Sequence, residues 1–107
     1  MVTWEHQVRP HPDVVDTELE GQEMVLLHLK SMRYYTLNPT GTRIWQGLKR
    51  DLTLRQISQR LQEEFVIEAE RADSSVLTLV DELYQNELVQ SLDREKSGDR
   101  SQARIGL

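Results

Sequence analysis

The tightest constraint in this chain is the junction Tyr35-Thr36-Leu37-Asn38-Pro39-Thr40-Gly41. It ends a strand and starts a helix within two residues. Tyr34, Tyr35 and Thr36 prefer extended backbone. Asn38 carries a side-chain oxygen able to accept the first free amide protons of a helix. Pro39 suits the first helical position, where no N–H donor is needed. Ile44, Trp45 and Leu48 then share one helical face. The chain before this junction therefore reads as β, and the chain after it as α.

Upstream, residues 14–20 and 22–29 read as two strands. Val15, Thr17 and Leu19 alternate with Asp16, Glu18 and Glu20, which predicts a half-buried strand with the first set inward. Gly21 between the runs suits a tight hairpin turn. In the second run Val25, Leu27 and Leu29 share one face, and Met24, Leu26 and His28 the other. Both faces are largely apolar, which predicts a central strand; His28 is expected to point outward. Residues 30–32 form the next turn. Residues 33–37 form a third strand, with Tyr35 and Leu37 toward the core. A meander of this kind leaves the third strand at an edge. Lysine, proline or a bulge usually guards such an edge, and this one has only Arg33 at its start. The vacant edge is read as a place for a peptide partner. A short strand covered by a helix or by the chain's own end is the alternative.

Downstream, three helices follow. The first spans about residues 39–49, with Gly47 allowing close packing. The second starts at the capping residue Thr53 and carries Leu54, Ile57, Leu61 and Phe65 as one stripe. The third spans about residues 70–87. Val76, Val80 and Leu83 form one line on it, and Leu77, Tyr84 and Leu88 a neighbouring line. That band is wider than one contact surface needs, so one edge is free to face a groove; the alternative is that all of it is core. Residues 88–90 add a short extended end. Pro10 and Pro12 argue against a regular element in residues 1–13, which read as a flexible arm from which Trp4 and Val8 can dock. Residues 91–107 mix charges without an aromatic residue and read as a disordered tail. The expected fold is α+β and winged-helix-like: a three-stranded antiparallel sheet followed by three helices, in one domain over residues 14–90.

Composition narrows the function classes. A chain of 107 residues suits one domain. With 13 basic and 18 acidic residues the net charge is −5, which opposes general affinity for nucleic acid phosphates. There is no cysteine, so disulfides and thiolate chemistry are excluded. No apolar run approaches the roughly 20 residues of a membrane span, and the first twelve residues hold no hydrophobic signal region. The expected compartment is the cytoplasm. His6, His11 and His28 lack metal-site spacing. No nucleophile elbow or phosphate loop is present, so neither an enzyme nor a cofactor is expected. In a winged-helix DNA reader the last helix carries basic and amide side chains into the major groove. Here Arg71 stands against Glu70, Asp73, Asp81, Glu82 and Glu87. An acidic winged-helix module that regulates by binding protein remains a competing class.

The segment Met24-Val25-Leu26-Leu27-His28-Leu29, followed by Arg33-Tyr34-Tyr35-Thr36-Leu37-Asn38 and Gly41-Thr42-Arg43-Ile44-Trp45, resembles the PqqD family. These are small leader-peptide-binding proteins, also called RiPP recognition elements, which serve biosynthesis of ribosomally made, post-translationally modified peptides. The resemblance runs on through Thr53, Ile57, Leu61 and Phe65 to Val80-Asp81-Glu82-Leu83 and Leu88-Val89, covering about residues 13–90. It implies that the leader of a precursor peptide adds a strand beside the third strand, next to the third helix. The backbone of Arg33, Tyr34, Tyr35, Thr36 and Leu37 would pair with the leader, and Met32 and Tyr34 would flank it. Leu77, Val80, Asp81 and Tyr84 would form the helical wall. The partners implied are the precursor peptide and a leader peptidase or other modifying enzyme; the open edge also permits a homodimer. The sequence Leu-Leu-His-Leu stands where members of the pyrroloquinoline quinone pathway tend to have Tyr-Pro after the leucines. The Tyr-Tyr-x-Leu-Asn pattern is closer to the stand-alone recognition proteins of lasso peptide clusters, and a quinone-pathway peptide chaperone is the alternative within the family.

Overall fold

The computed structural model describes residues 8–91. Strand β1 is Val8–Pro10, β2 Val14–Glu18, β3 Met24–His28 and β4 Arg33–Leu37. Helices α1 (Pro39–Lys49), α2 (Leu54–Phe65) and α3 (Ala69–Gln85) follow, and β5 (Val89–Ser91) closes the described chain. The result is an α+β fold: a three-stranded antiparallel sheet ordered β2-β3-β4, followed by three helices.

The strand-to-helix junction is built as its residues dictate. The Asn38 side chain accepts a hydrogen bond from the Gly41 amide at 2.7 Å, and Pro39 opens α1. Thr53 and Gln56 form a reciprocal capping box at the start of α2, which satisfies two otherwise unpaired amides. The α1–α2 crossing depends on Gly47: a Cβ there would stand 2.7 Å from Ile57 Cγ1. Ile44, Trp45, Leu48, Leu54, Ile57, Leu61, Ala72, Val76, Val80 and Leu83 form the helical part of the core, and Met24, Leu26 and Leu37 cover it from the sheet.

Four features depart from expectation. In β2 it is Val14 and Asp16 that turn inward, while Val15 and Leu19 are exposed. Asp16 tolerates that side because Trp45 Nε1 donates to it at 2.8 Å and Lys49 Nζ lies 2.8 Å away. His28 is buried rather than outward. Its Nδ1 accepts from the Lys30 and Ser31 amides, and its ring stacks at a tilt 4.9 Å from that of His11. The β2–β3 link is a short 3-10 turn over Glu20–Gln22 with both Gly21 and Gln22 at positive φ, not a two-residue hairpin. Finally, part of the N-terminal arm is regular. Val8–Pro10 pairs antiparallel with β5, Pro10 stands at the end of the strand where a missing donor costs little, and Val8 docks in the core. Trp4, the rest of the arm and residues 92–107 lie outside the described residues.

The α3–β5 corner positions the last strand. Leu88 N donates to Leu83 O at 2.8 Å and Glu87 N to Tyr84 O at 3.1 Å, with Glu87 at φ 61. That is a Schellman ending with glutamate in the left-handed position that glycine usually fills. It buries Leu88 and turns the chain back toward β1. Among the described residues no helix is long and apolar enough to cross a membrane.

Candidate functional site

β4 is the terminal strand of the three-stranded sheet. Among the described residues it pairs only with β3, through Met24↔Leu37, Leu26↔Tyr35 and His28↔Arg33 with the intervening pairs. Alternate residues of an antiparallel edge strand turn their N–H and C=O groups away from the neighbour. β4 therefore offers an open row of backbone donors and acceptors.

A cleft of about 920 Å³ opens beside β4, between it and α3. Tyr35, Thr36 and Leu37 contribute from the strand, with Asn38, Thr40 and Gly41 from the start of α1. Ile44, Phe65 and Ile67 line the cleft deeper in, and α3 supplies Arg71, Ser74, Ser75, Thr78, Leu79 and Glu82. Arg43 Nε reaches Glu64 Oε2 at 2.5 Å, tying the start of α1 to the end of α2. The first half of α3 brings Arg71, Ser74 and Ser75 to the cleft. At the other end the Tyr35 hydroxyl donates to the Glu82 carboxylate, bridging strand and helix. Partial burial, joined by the hydrogen bond to Glu82 and the charge of its carboxylate, raises the Tyr35 phenol to about 12. The phenol thus stays a neutral donor throughout the physiological range.

The chemistry of the cleft is mixed. Leu37, Ile44, Phe65, Ile67 and Leu79 provide apolar contact, while Ser74, Ser75, Thr78 and Thr36 provide hydroxyls. Arg71 stands near one end and Glu82 at the other. Nothing here joins a nucleophile to a base, and among the described residues no group of three or more His, Asp or Glu is placed to hold a metal. The arrangement suits an extended chain whose backbone pairs with β4 and whose alternate side chains enter the cleft.

Of the strand residues expected at the site, Tyr35, Thr36 and Leu37 line the cleft. Arg33 and Tyr34 lie on the same open edge but outside the cleft, and Met32 sits exposed in the preceding turn at φ 60. The helical wall is different. Val80 is fully buried in the core, Leu77 packs on the core's flank, and Asp81 and Tyr84 are exposed. None of these four lines the cleft. At 100° per residue, the line through Leu77 and Tyr84 stands about 140° around the helix from that through Ser75, Thr78 and Glu82. The apolar band on α3 is core and core margin. The cleft instead uses the hydroxyl-bearing face, which apolar periodicity does not reveal. Its one sequence signal is the spacing of Arg71, Ser74, Ser75, Thr78 and Glu82 at three and four residues.

Residues 23–89, a span holding β3, β4 and all three helices, match the family described as Coenzyme PQQ synthesis protein D (PqqD). The chain belongs to the PqqD family. Two solved structures share the architecture of this PqqD-family chain. One, described as TbiB1 in complex with the TbiA(beta) leader peptide, is 25% identical with a TM-score of 0.70; the match covers 76% of this chain and 93% of that one. The other, described as lasso peptide synthetase B1 complexed with the leader peptide, is 28% identical with a TM-score of 0.71, covering 78% and 96%. No curated protein matches the chain.

Proposed function

We propose that this PqqD-family chain is a non-catalytic binding protein for the leader of a ribosomally made precursor peptide in lasso peptide biosynthesis. It captures the leader by strand addition to β4 and presents the attached core peptide to a leader peptidase or other modifying enzyme. The observation that carries this reading is the open β4 edge bordering the α3 cleft, in a fold shared with two leader-peptide complexes.

Strand addition divides the work of recognition. Backbone pairing with residues 33–37 gives affinity that tolerates sequence change, while the cleft chooses among alternate side chains. An apolar leader side chain fully buried against Leu37, Phe65 and Leu79 contributes about 1.5–3 kcal/mol. Ser75 and Thr78 replace Leu77 and Tyr84 as the proposed helical wall, and Met32 and Tyr34 flank the edge. The tether then raises the concentration of the core peptide at an enzyme bound nearby.

The test is fluorescence polarisation with the labelled leader of the precursor peptide encoded in the same gene neighbourhood. Saturable binding is expected. N-methylation of leader amides, one position at a time, should weaken binding at alternate positions and spare the positions between them. A leader that does not bind, or one that loses affinity equally at every methylated position, overturns the reading.

A further inference from the structure

The three-stranded sheet has two faces, and the core uses one. Met24, Leu26, Tyr35 and Leu37 turn toward the helices. On the outer face the register aligns Val15, Leu27 and Tyr34 in one row and Thr17, Val25 and Thr36 in the next. None of these six is charged, in a chain where 29% of residues are. A solvated antiparallel face normally turns polar and charged side chains outward. Tyr34 is 75% exposed, Leu29 50%, Val15 46% and Leu19 44%, and Met32 in the adjoining turn is 64% exposed. Together these side chains offer roughly 600 Å² of mostly apolar surface per copy, so two copies would bury about 1,200 Å², the lower bound of a specific interface.

We propose that this outer face joins two copies of the chain as a two-fold homodimer by sheet-on-sheet packing. A two-fold interface sets a patch against itself. On a chain of net charge −5 most faces would then oppose like charges; the outer side of α3, with Glu70, Asp81 and Glu87, is one such face. The two outer rows bear no charge and carry no such cost. A three-stranded face of alternating Val, Leu, Tyr and Thr side chains fits the ~10 Å spacing at which sheets stack. The contact uses the outward side chains of Tyr34 and Thr36 on β4 and leaves the strand's backbone edge free.

Sedimentation equilibrium of the full chain across the micromolar range tests it. The mass should approach twice the 12.5 kDa of one chain as concentration rises. The double variant Val15→Lys/Thr17→Lys places four like charges in the two-fold contact and should raise the dissociation constant by at least about tenfold. Both positions are exposed on β2, the strand farthest from the cleft, so the circular dichroism spectrum and leader affinity should hold. Leu29→Lys, beyond the end of β3, provides a second variant should the first fail to fold. A chain that stays monomeric at every concentration overturns the proposal. So does a dimer that survives these variants, since the contact would then lie elsewhere.

Discussion

Which face of α3 meets the peptide is decided by one pair of variants. Leu79 lines the cleft and is half-buried; Tyr84 is exposed on another face of the same helix. Placing aspartate at residue 79 removes the apolar contact for the leader and puts a charge where the bound strand would exclude water. A fully buried apolar side chain gains about 1.5–3 kcal/mol, and loss of half that contact is about 0.8–1.5 kcal/mol. Desolvation of the new carboxylate adds to the loss, so at least a tenfold rise in Kd is expected. Tyr84→Asp should change Kd by less than about twofold, because a surface substitution away from the contact is usually worth under 0.5 kcal/mol. Leu79 also packs against the core, so its replacement costs some stability. Thr78→Asp, exposed in the same cleft, keeps the test clean because it removes no core contact. Polarisation titrations at fixed salt, with thermal melts of each variant, supply the readout. If Tyr84→Asp weakens binding as much as Thr78→Asp and Leu79→Asp, the leader lies on the other side of α3 and the cleft assignment is refuted.

Three further outcomes follow from the packing. Glu87 holds a left-handed conformation at the end of α3, exposed and beside the negative end of the helix dipole; Glu87→Gly should therefore stabilise the fold by about 1 kcal/mol in urea unfolding, and a loss of stability would refute the strain argument. Gly47→Ala gains helix propensity but drives a methyl against the stiff Ile57 side chain, so a net loss of about 1 kcal/mol or more is expected, measured the same way. Burial pushes the Asp16 carboxyl up, but hydrogen bonds from Lys49 and Trp45 outweigh it and hold the group below its usual 3.8. A carboxyl lowered on folding contributes stability that is complete above its unfolded pKa and fades as pH falls through the folded one. The Tm gap between the wild type and Asp16→Asn should therefore be constant near neutrality and shrink below about pH 4; a gap that grows on acidification would show that Asp16 is not held as an anion.

Local chemistry made much of the fold legible. Asn38-Pro39 and Thr53-x-x-Gln56 are caps whose function depends on residues within one helical turn, and α1 starts and α2 is capped where those residues stand. The order of the strands followed from short links, and with it the open β4 edge. The orientation of β2 was not legible in this way. Its alternation of Val15, Thr17 and Leu19 with acids pointed to the wrong inward face, because the partners of Asp16 are Trp45 and Lys49, 29 and 33 residues away in the chain. His28 was misread as well: its Nδ1 accepts from the Lys30 and Ser31 amides just beyond it, and its ring packs on His11, which the β2–β3 pairing brings to the same end of the sheet. The family resemblance pointed to β4 and α3, which border the cleft, but on α3 it named Leu77, Val80, Asp81 and Tyr84, which do not line it.

By itself, then, the sequence determined where α1 and α2 begin, how the three strands of the meander are ordered and which edge is left vacant, since each of these is governed by neighbours along the chain. Only the tertiary structure decided which face of β2 is buried, that Val8–Pro10 pairs with β5, and that α3 turns its serines and threonines rather than Leu77 and Tyr84 toward the cleft. A helical repeat gives the width of an apolar band but not its orientation. That orientation is set by the combined packing of α1, α2 and the sheet, whose contacts join residues far apart in the chain.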